Sequence, residues 1–275
     1  MKTRKLLGAV FATGLGLAAL STATVVEAQG KGPKKQAPPA APAAEPPITK
    51  KPIVLIPAGI VWGMNHKQVA GVIDKLLDQA YKPIYQKTSP GVGMRALEAE
   101  LAEEKSIFRR SLITFGSLPT GIDATPLKGE YTYLNKESML TFGRESTKMH
   151  FFFIQDKLWK IIDERKLGEG NPHGKDFLDV VIKLAAVYGT PGRVLPPDYD
   201  KGRNATEVDW KDNATHLRAI ERGETAAAIV LEDNLTLGNL ATLRANKPVE
   251  DSGIDPDVAA VTGRSDKAAP PPDKK

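Results

Sequence analysis

The chain has no cysteine in its 275 residues. Disulfides are therefore excluded, although an exported compartment would permit them. The cysteine that accepts the lipid of a bacterial lipoprotein is missing too. Histidine is scarce: His66, His150, His173 and His216 are dispersed, and none stands at a metal-ligand spacing such as His-Glu-x-x-His. No Gly-x-Ser-x-Gly nucleophile elbow occurs. Long apolar runs are nearly absent. The stretch 6–20 is uncharged and apolar, but it is shorter than the about 20 residues that a spanning helix needs. Aromatic residues make up only 6% of the chain, so its three tryptophans stand out.

What is present begins with an address. Lys2, Arg4 and Lys5 precede the apolar stretch, and Val26-Glu27-Ala28 follows it with small or branched residues at the two positions a signal peptidase reads. That is the layout of a secretory signal peptide over 1–28. It predicts an exported protein, periplasmic or secreted, that begins near Gln29 and has no transmembrane anchor after cleavage. Residues 29–52 hold seven prolines among alanine and lysine, a composition that favours polyproline II and builds no core. The end of the chain, 251–275, closes in Ala-Ala-Pro-Pro-Pro-Asp-Lys-Lys and reads as a disordered tail.

A net charge of +5 and a pI near 9.2 invite a nucleic-acid reading. The distribution opposes it. The signal carries three basic residues against one acidic, the linker five against one, and the tail four against five, which leaves 53–250 with no net charge. A nucleic-acid-binding domain clusters basic charge on its folded part, so no nucleic acid is expected as a partner.

About 200 residues remain for a core. A short strand is expected at 53–56. Asn65 and Gln68 form a capping box, after which Val69, Val72, Ile73, Leu76, Leu77 and Ala80 recur at helical spacing until Pro83, which should end the helix. A second helix is expected over 94–113 and a third over 176–188, closed by Gly189 and Pro191. Between and after them the period is that of strands: near Tyr131 and Tyr133, at 139–142, 149–154 and 158–162 around a turn at Gln155-Asp156-Lys157, and at 207–211, 215–220 and 227–231. Phe151, Phe152 and Phe153 are consecutive, which marks a central strand covered on both faces. A short helix or irregular segment over 237–244 closes the domain. The expected fold class is α+β, helices packed on an antiparallel sheet. One unit spans 53–165 and a second 166–250, sharing one core. A shift of 77 residues lays 130–133 over 207–210 and suggests a tandem repeat of a helix-plus-three-strand unit.

Gly63-Met64 and Val69 at the opening of a helix, followed downstream by Tyr188-Gly189-Thr190-Pro191 and antiparallel strands, resemble the SmpA/OmlA-like envelope proteins and the β-lactamase-inhibitor-protein-like domains that share their architecture. The resemblance implies a small exported helix-plus-sheet protein that acts by binding other proteins. The missing lipid-accepting cysteine and the long helix from Met94 are departures from that pattern.

Several motifs carry little chemistry. Gly91-Val92-Gly93-Met94-Arg95-Ala96 has dinucleotide-fingerprint spacing but follows no strand. The stretch from Gly168 to Lys175 has one residue too many for a phosphate loop. Asn204, Asn213 and Asn234 head glycosylation sequons that suit turns. Asp198, Asp200 and Asn204 alternate as calcium ligands do, yet Arg203 stands where such loops need glycine. Trp210 is expected in the core, by the period that places it beside Val208. Trp62 and Trp159 are the candidate binding aromatics, Trp62 as an exposed anchor.

The leading expectation is a non-catalytic binding or structural protein of the bacterial cell envelope. It needs no cofactor and meets an envelope protein or cell-wall component through a sheet face or edge. Two alternatives belong to other classes. One is a hydrolase of envelope polymer that uses a carboxylate pair, Glu207 with Asp209 or Glu130 with Asp163. The other is a calcium-stabilised module.

Overall fold

A computed structural model describes residues 45–118, 127, 129–144 and 147–246. The signal peptide, most of the proline-rich segment and the tail lie outside the described residues. Among those described, no helix is long and apolar enough to cross a membrane.

The fold is α+β. Three main helices, α1 (His66–Lys87), α2 (Val92–Arg110) and α3 (Phe177–Tyr188), accompany eight antiparallel strands. These are β1 (Ile113–Thr114), β2 (Glu137–Arg144), β3 (Thr147–Ile154), β4 (Lys157–Lys166), β5 (Arg193–Leu195), β6 (Glu207–Lys211), β7 (Thr215–Glu221) and β8 (Ala226–Asp233). They form one sheet in the order β1-β2-β3-β4-β8-β7-β6-β5. Each half of the sheet is thus a short edge strand followed by a three-strand meander, and each is preceded by a helix. The 77-residue shift does not superpose these halves: it carries β2 onto β7, not onto β6. Two short helices, α4 (Asn234–Gly238) and α5 (Leu240–Leu243), end the described chain.

The capping box at Asn65 is present in full, with Asn65 and Gln68 each bonding the other's backbone N–H at 2.9 Å. Val69, Ile73 and Leu77 are buried along α1. Pro83 does not end this helix, which runs on to Lys87. Pro83 and the residue four before it, Gln79, both face water, so the carbonyl that proline leaves unbonded is solvated. Tyr131 and Tyr133 are not in a strand. Phe115 stacks on Tyr131 at 4.0 Å and meets Tyr133 edge-on; left-handed backbone at Leu134 and Lys136 prevents a ladder here. Residues 53–56 are likewise not a strand, and the Ile53 N–H donates to Asp212 at 2.6 Å. The last part of the proline-rich segment, expected as a free tether, is tied down. The Lys211 N–H donates to the Pro47 carbonyl, the Thr49 N–H to the Lys211 carbonyl and the Lys50 N–H to the Tyr188 carbonyl.

The central strand is β3. Phe151 and Phe153 enter the core under the helices, and Phe152 enters a second core on the opposite face. Across the helix-covered face, Leu140, Phe151, Ile161, Leu231, Leu217 and Trp210 are consecutive cross-strand neighbours. The β3–β4 hairpin turns on Gln155 and Asp156, both left-handed, as a two-residue turn matched to strand twist requires. Asp156 is held there by the His66 N–H and ring, at 3.1 and 2.6 Å. A bulge follows: Phe152 opposes Lys160 while Phe153 opposes Leu158, so Trp159 is the extra residue.

At the far edge Gly192 lies against Trp210, whose indole N–H donates to the Thr190 carbonyl at 2.9 Å. A Cβ at Gly192 would stand 2.4 Å from Val208 and 2.5 Å from the Trp210 ring. Both neighbours are buried and cannot retreat. Gly192→Ala is therefore expected to cost about 1–3 kcal/mol through overpacking, read as a lower urea midpoint with an unchanged slope.

Candidate functional site

The sheet face away from the main helices carries an unusual load of buried charge. Period two places Lys160, Glu232 and His216 in one cross-strand row and Asp209 with Arg218 in the next. Lys160 is only 3% exposed. Its ammonium lies 2.8 Å from Glu130 and 3.5 Å from Glu232, and 4.4 Å from the centre of the Trp159 ring. Arg218 reaches Glu130 and Glu232 at 3.1 Å and Glu207 at 3.4 Å. His216 stands between Glu232 at 3.1 Å and Asp209 at 3.3 Å. Arg193 on the edge strand grips both oxygens of Asp209, at 3.0 and 2.5 Å. Beside this network, Arg244 forks onto Glu137 at 2.9 Å, and the Arg244 guanidinium covers the Trp159 ring.

Burial alone would raise these carboxyl pKa values. The outcome is the reverse. Glu232 is held well below the usual carboxylate range, burial being outweighed by the Arg218 charge and the His216 hydrogen bond. Asp209 is lowered because hydrogen bonds from His216 and Arg193 outweigh burial. Glu130 is lowered by Lys160 and Arg218 against the same burial cost. His216 is raised: burial pushes it down, but hydrogen bonds to Asp209 and Glu232 prevail. The network is thus a set of fixed, mutually neutralised ions.

This geometry removes the support for the carboxylate hydrolase. Glu207 and Asp209 do share a face, as the strand period requires, but each is committed to a cation. Glu130 and Asp163 lie on opposite faces. Asp163 opposes Met149 and Ile229 under the helices, is bonded by Arg165 at 2.8 Å and is raised by burial. At the calcium candidates, Arg203 sits 3.6 Å from the Asp198 carboxylate and donates to the Pro196 carbonyl. Asp200 belongs to a 3-10 turn, Tyr199–Lys201, beside Asn204. Among the described residues no group of three or more acidic or histidine side chains converges to hold a metal.

The two tryptophans part company. Trp159 is fully buried in the second core and is no binding aromatic. The bulge puts it on the same face as Lys160, which simple alternation could not reveal. Trp62 is half-buried and donates its indole N–H to Thr215 at 3.1 Å. It lines a groove of about 660 Å³ with Leu158, Leu235 and Leu243.

A second kind of site lies at the other edge of the sheet. β1 pairs with β2 only at Ser138 and Met139. Beyond them the Thr141 N–H points outward to the Ser111 hydroxyl at 2.9 Å. By the alternation of an antiparallel ladder, the N–H and C=O of Gly143 point the same way. A groove of about 430 Å³ runs there between Thr141, Phe142, Gly143 and Arg144 and the α2 residues Glu104, Ile107 and Phe108. Ile107 is 55% exposed on its wall. Tyr81 fixes Glu104 by donating to it at 2.8 Å, and the Arg144 guanidinium lies 5.6 Å above the Tyr81 ring. Sequence reasoning missed this groove, because nothing in the strand pattern shows that β1 stops after two residues.

No family model, no curated protein and no solved structure matches the chain.

The raised His216 gives a pH test. A raised folded pKa contributes stability that is complete below the unfolded value, about 6.5, and is lost as pH rises through the folded value. Wild type should exceed His216→Gln in urea midpoint at pH near 6, and the gap should close on the alkaline side. Parallel profiles would show that the protonated imidazole is not what Asp209 and Glu232 hold.

Proposed function

We propose that the protein is an exported, non-catalytic binding protein of the bacterial cell envelope, which takes an extended segment of a partner protein along the open edge of β2. The observation that carries this reading is the β2 edge itself. It offers outward main-chain groups at Gly143 beside a groove with one apolar wall, Ile107, and one charge of each sign, Glu104 and Arg144. Strand addition uses these elements: main-chain bonds for affinity and alternate side-chain pockets for selectivity. An unprotected edge is otherwise an aggregation hazard. Export is supported by the layout of residues 1–28, and a protein-binding role is consistent with the resemblance to SmpA/OmlA-like proteins.

Two measurements test the reading. Peptides selected from a random display library on the full chain should slow hydrogen exchange at the Gly143 amide. Gly143→Pro removes that outward N–H without removing a β2–β3 bond and should weaken those peptides at least tenfold. Protection elsewhere, with Gly143→Pro neutral, defeats strand addition. Separately, the protein recovered from its native cell should have the mass of a chain that begins near Gln29; an intact N-terminus inside the cytoplasm defeats export.

A further inference from the structure

The third helix is apolar on the side it turns away from the sheet. Leu178 is 65% exposed, Ile182 57% and Val187 54%, and Ala186 lies open one turn beyond Ile182. Leu178, Ile182 and Ala186 recur every four residues and so form one stripe along the helix. The opposite side of α3 is occupied: Val180 and Tyr188 are buried, and Phe177, Val181 and Leu184 pack on the core. A helix that covers a sheet needs one apolar face; α3 has two.

The surroundings of the stripe are charged in a particular way. Along the helix, Lys183 and Asp179 neutralise each other at 3.2 Å, and Lys175 lies near Asp176. At its C-terminal end the balance is positive. The Lys50 N–H donates to the Tyr188 carbonyl, and the Lys50 stem packs against Gly189. Lys50 and Lys51 are exposed, with Ile48 and Val54 exposed on either side of them. The one acidic residue in this entering segment, Glu45, is bound to Lys211 at 2.5 Å. This is also where the chain enters the fold. The sequence before Glu45 carries Lys31, Lys34 and Lys35.

From the apolar stripe, the exposed lysines at its end and the basic sequence that leads into that end, we infer that α3 docks on an anionic phospholipid surface. The helix would lie in the plane of the interface, Leu178, Ile182 and Ala186 among the acyl chains and Lys50 and Lys51 at the headgroups. Interfacial helices bind by this combination of apolar area and attraction to anionic lipid. The surface is distinct from the β2 edge, and the inference stands without it.

The absence of cysteine makes the test specific. Ala186→Cys in the full chain gives a single attachment point for an environment-sensitive fluorophore, and Ala241→Cys on α5 gives one on the other sheet face. With vesicles of phosphatidylcholine and phosphatidylglycerol, the label at 186 should shift to the blue and be quenched by a bilayer-embedded nitroxide, while the label at 241 stays in water. Lys50→Ala with Lys51→Ala should weaken this response roughly thirtyfold, and vesicles of phosphatidylcholine alone should bind less. A label at 186 that stays in water while the vesicles carry the protein overturns the inference. So does a blue shift that needs no lipid and grows with protein concentration, because the stripe would then be covered by a second copy.

Discussion

The seam between β4 and β8 holds the two halves of the sheet together, and its register is set by a buried ion pair as much as by apolar packing. Lys160 and Glu232 face each other across it. A slip of one residue in β8 would turn Glu232 under the helices, among Ile161 and Leu217, and strand an ammonium against Trp159 and Phe152. Removing either charge leaves the buried network one charge out of balance, a defect of several kcal/mol. The same pair anchors the wider network, since Glu232 also binds Arg218 and His216, and Lys160 also donates to Glu130. Ions of this kind add little net stability over apolar residues of equal size, and their clearer effect is to exclude alternative registers.

Much of the scaffold was legible because its signals are local. The capping box at Asn65, the Gly189 cap of α3, the hairpin at Gln155-Asp156 and the three consecutive phenylalanines each specify geometry within a few residues. What was not legible depends on solvent exposure or on partners distant in the chain. Pro83 sits inside α1 because the adjoining carbonyl faces water. Tyr131 and Tyr133 alternate because both pack on Phe115, one stacked and one edge-on. Trp159 is core because a bulge shifts the period. The carboxylates of Glu207 and Asp209 were correctly placed on one face, but the cations that neutralise them come from other strands, and only the register brings them together. Glu130 and Asp163 failed as a pair for the plainest reason: the sheet lies between them.

The charge balance of the folded part acquires a structural meaning from this. Zero net charge over 53–250 does not mean an even mixture of signs at the surface. Glu130, Glu137, Glu207, Asp209 and Glu232 are withdrawn from the surface into pairs with cations. The linker's lysines stand outside that neutral sum, and Lys50 and Lys51 form a small positive patch beside α3. At physiological salt such a patch acts only over about 8 Å. It has no long-range field to steer the protein and operates only where apolar contact has already brought the surface close. On that argument α3 depends on its leucine and isoleucine for adhesion and on the lysines for choosing an anionic surface, so raised salt should erode the choice before it erodes the contact.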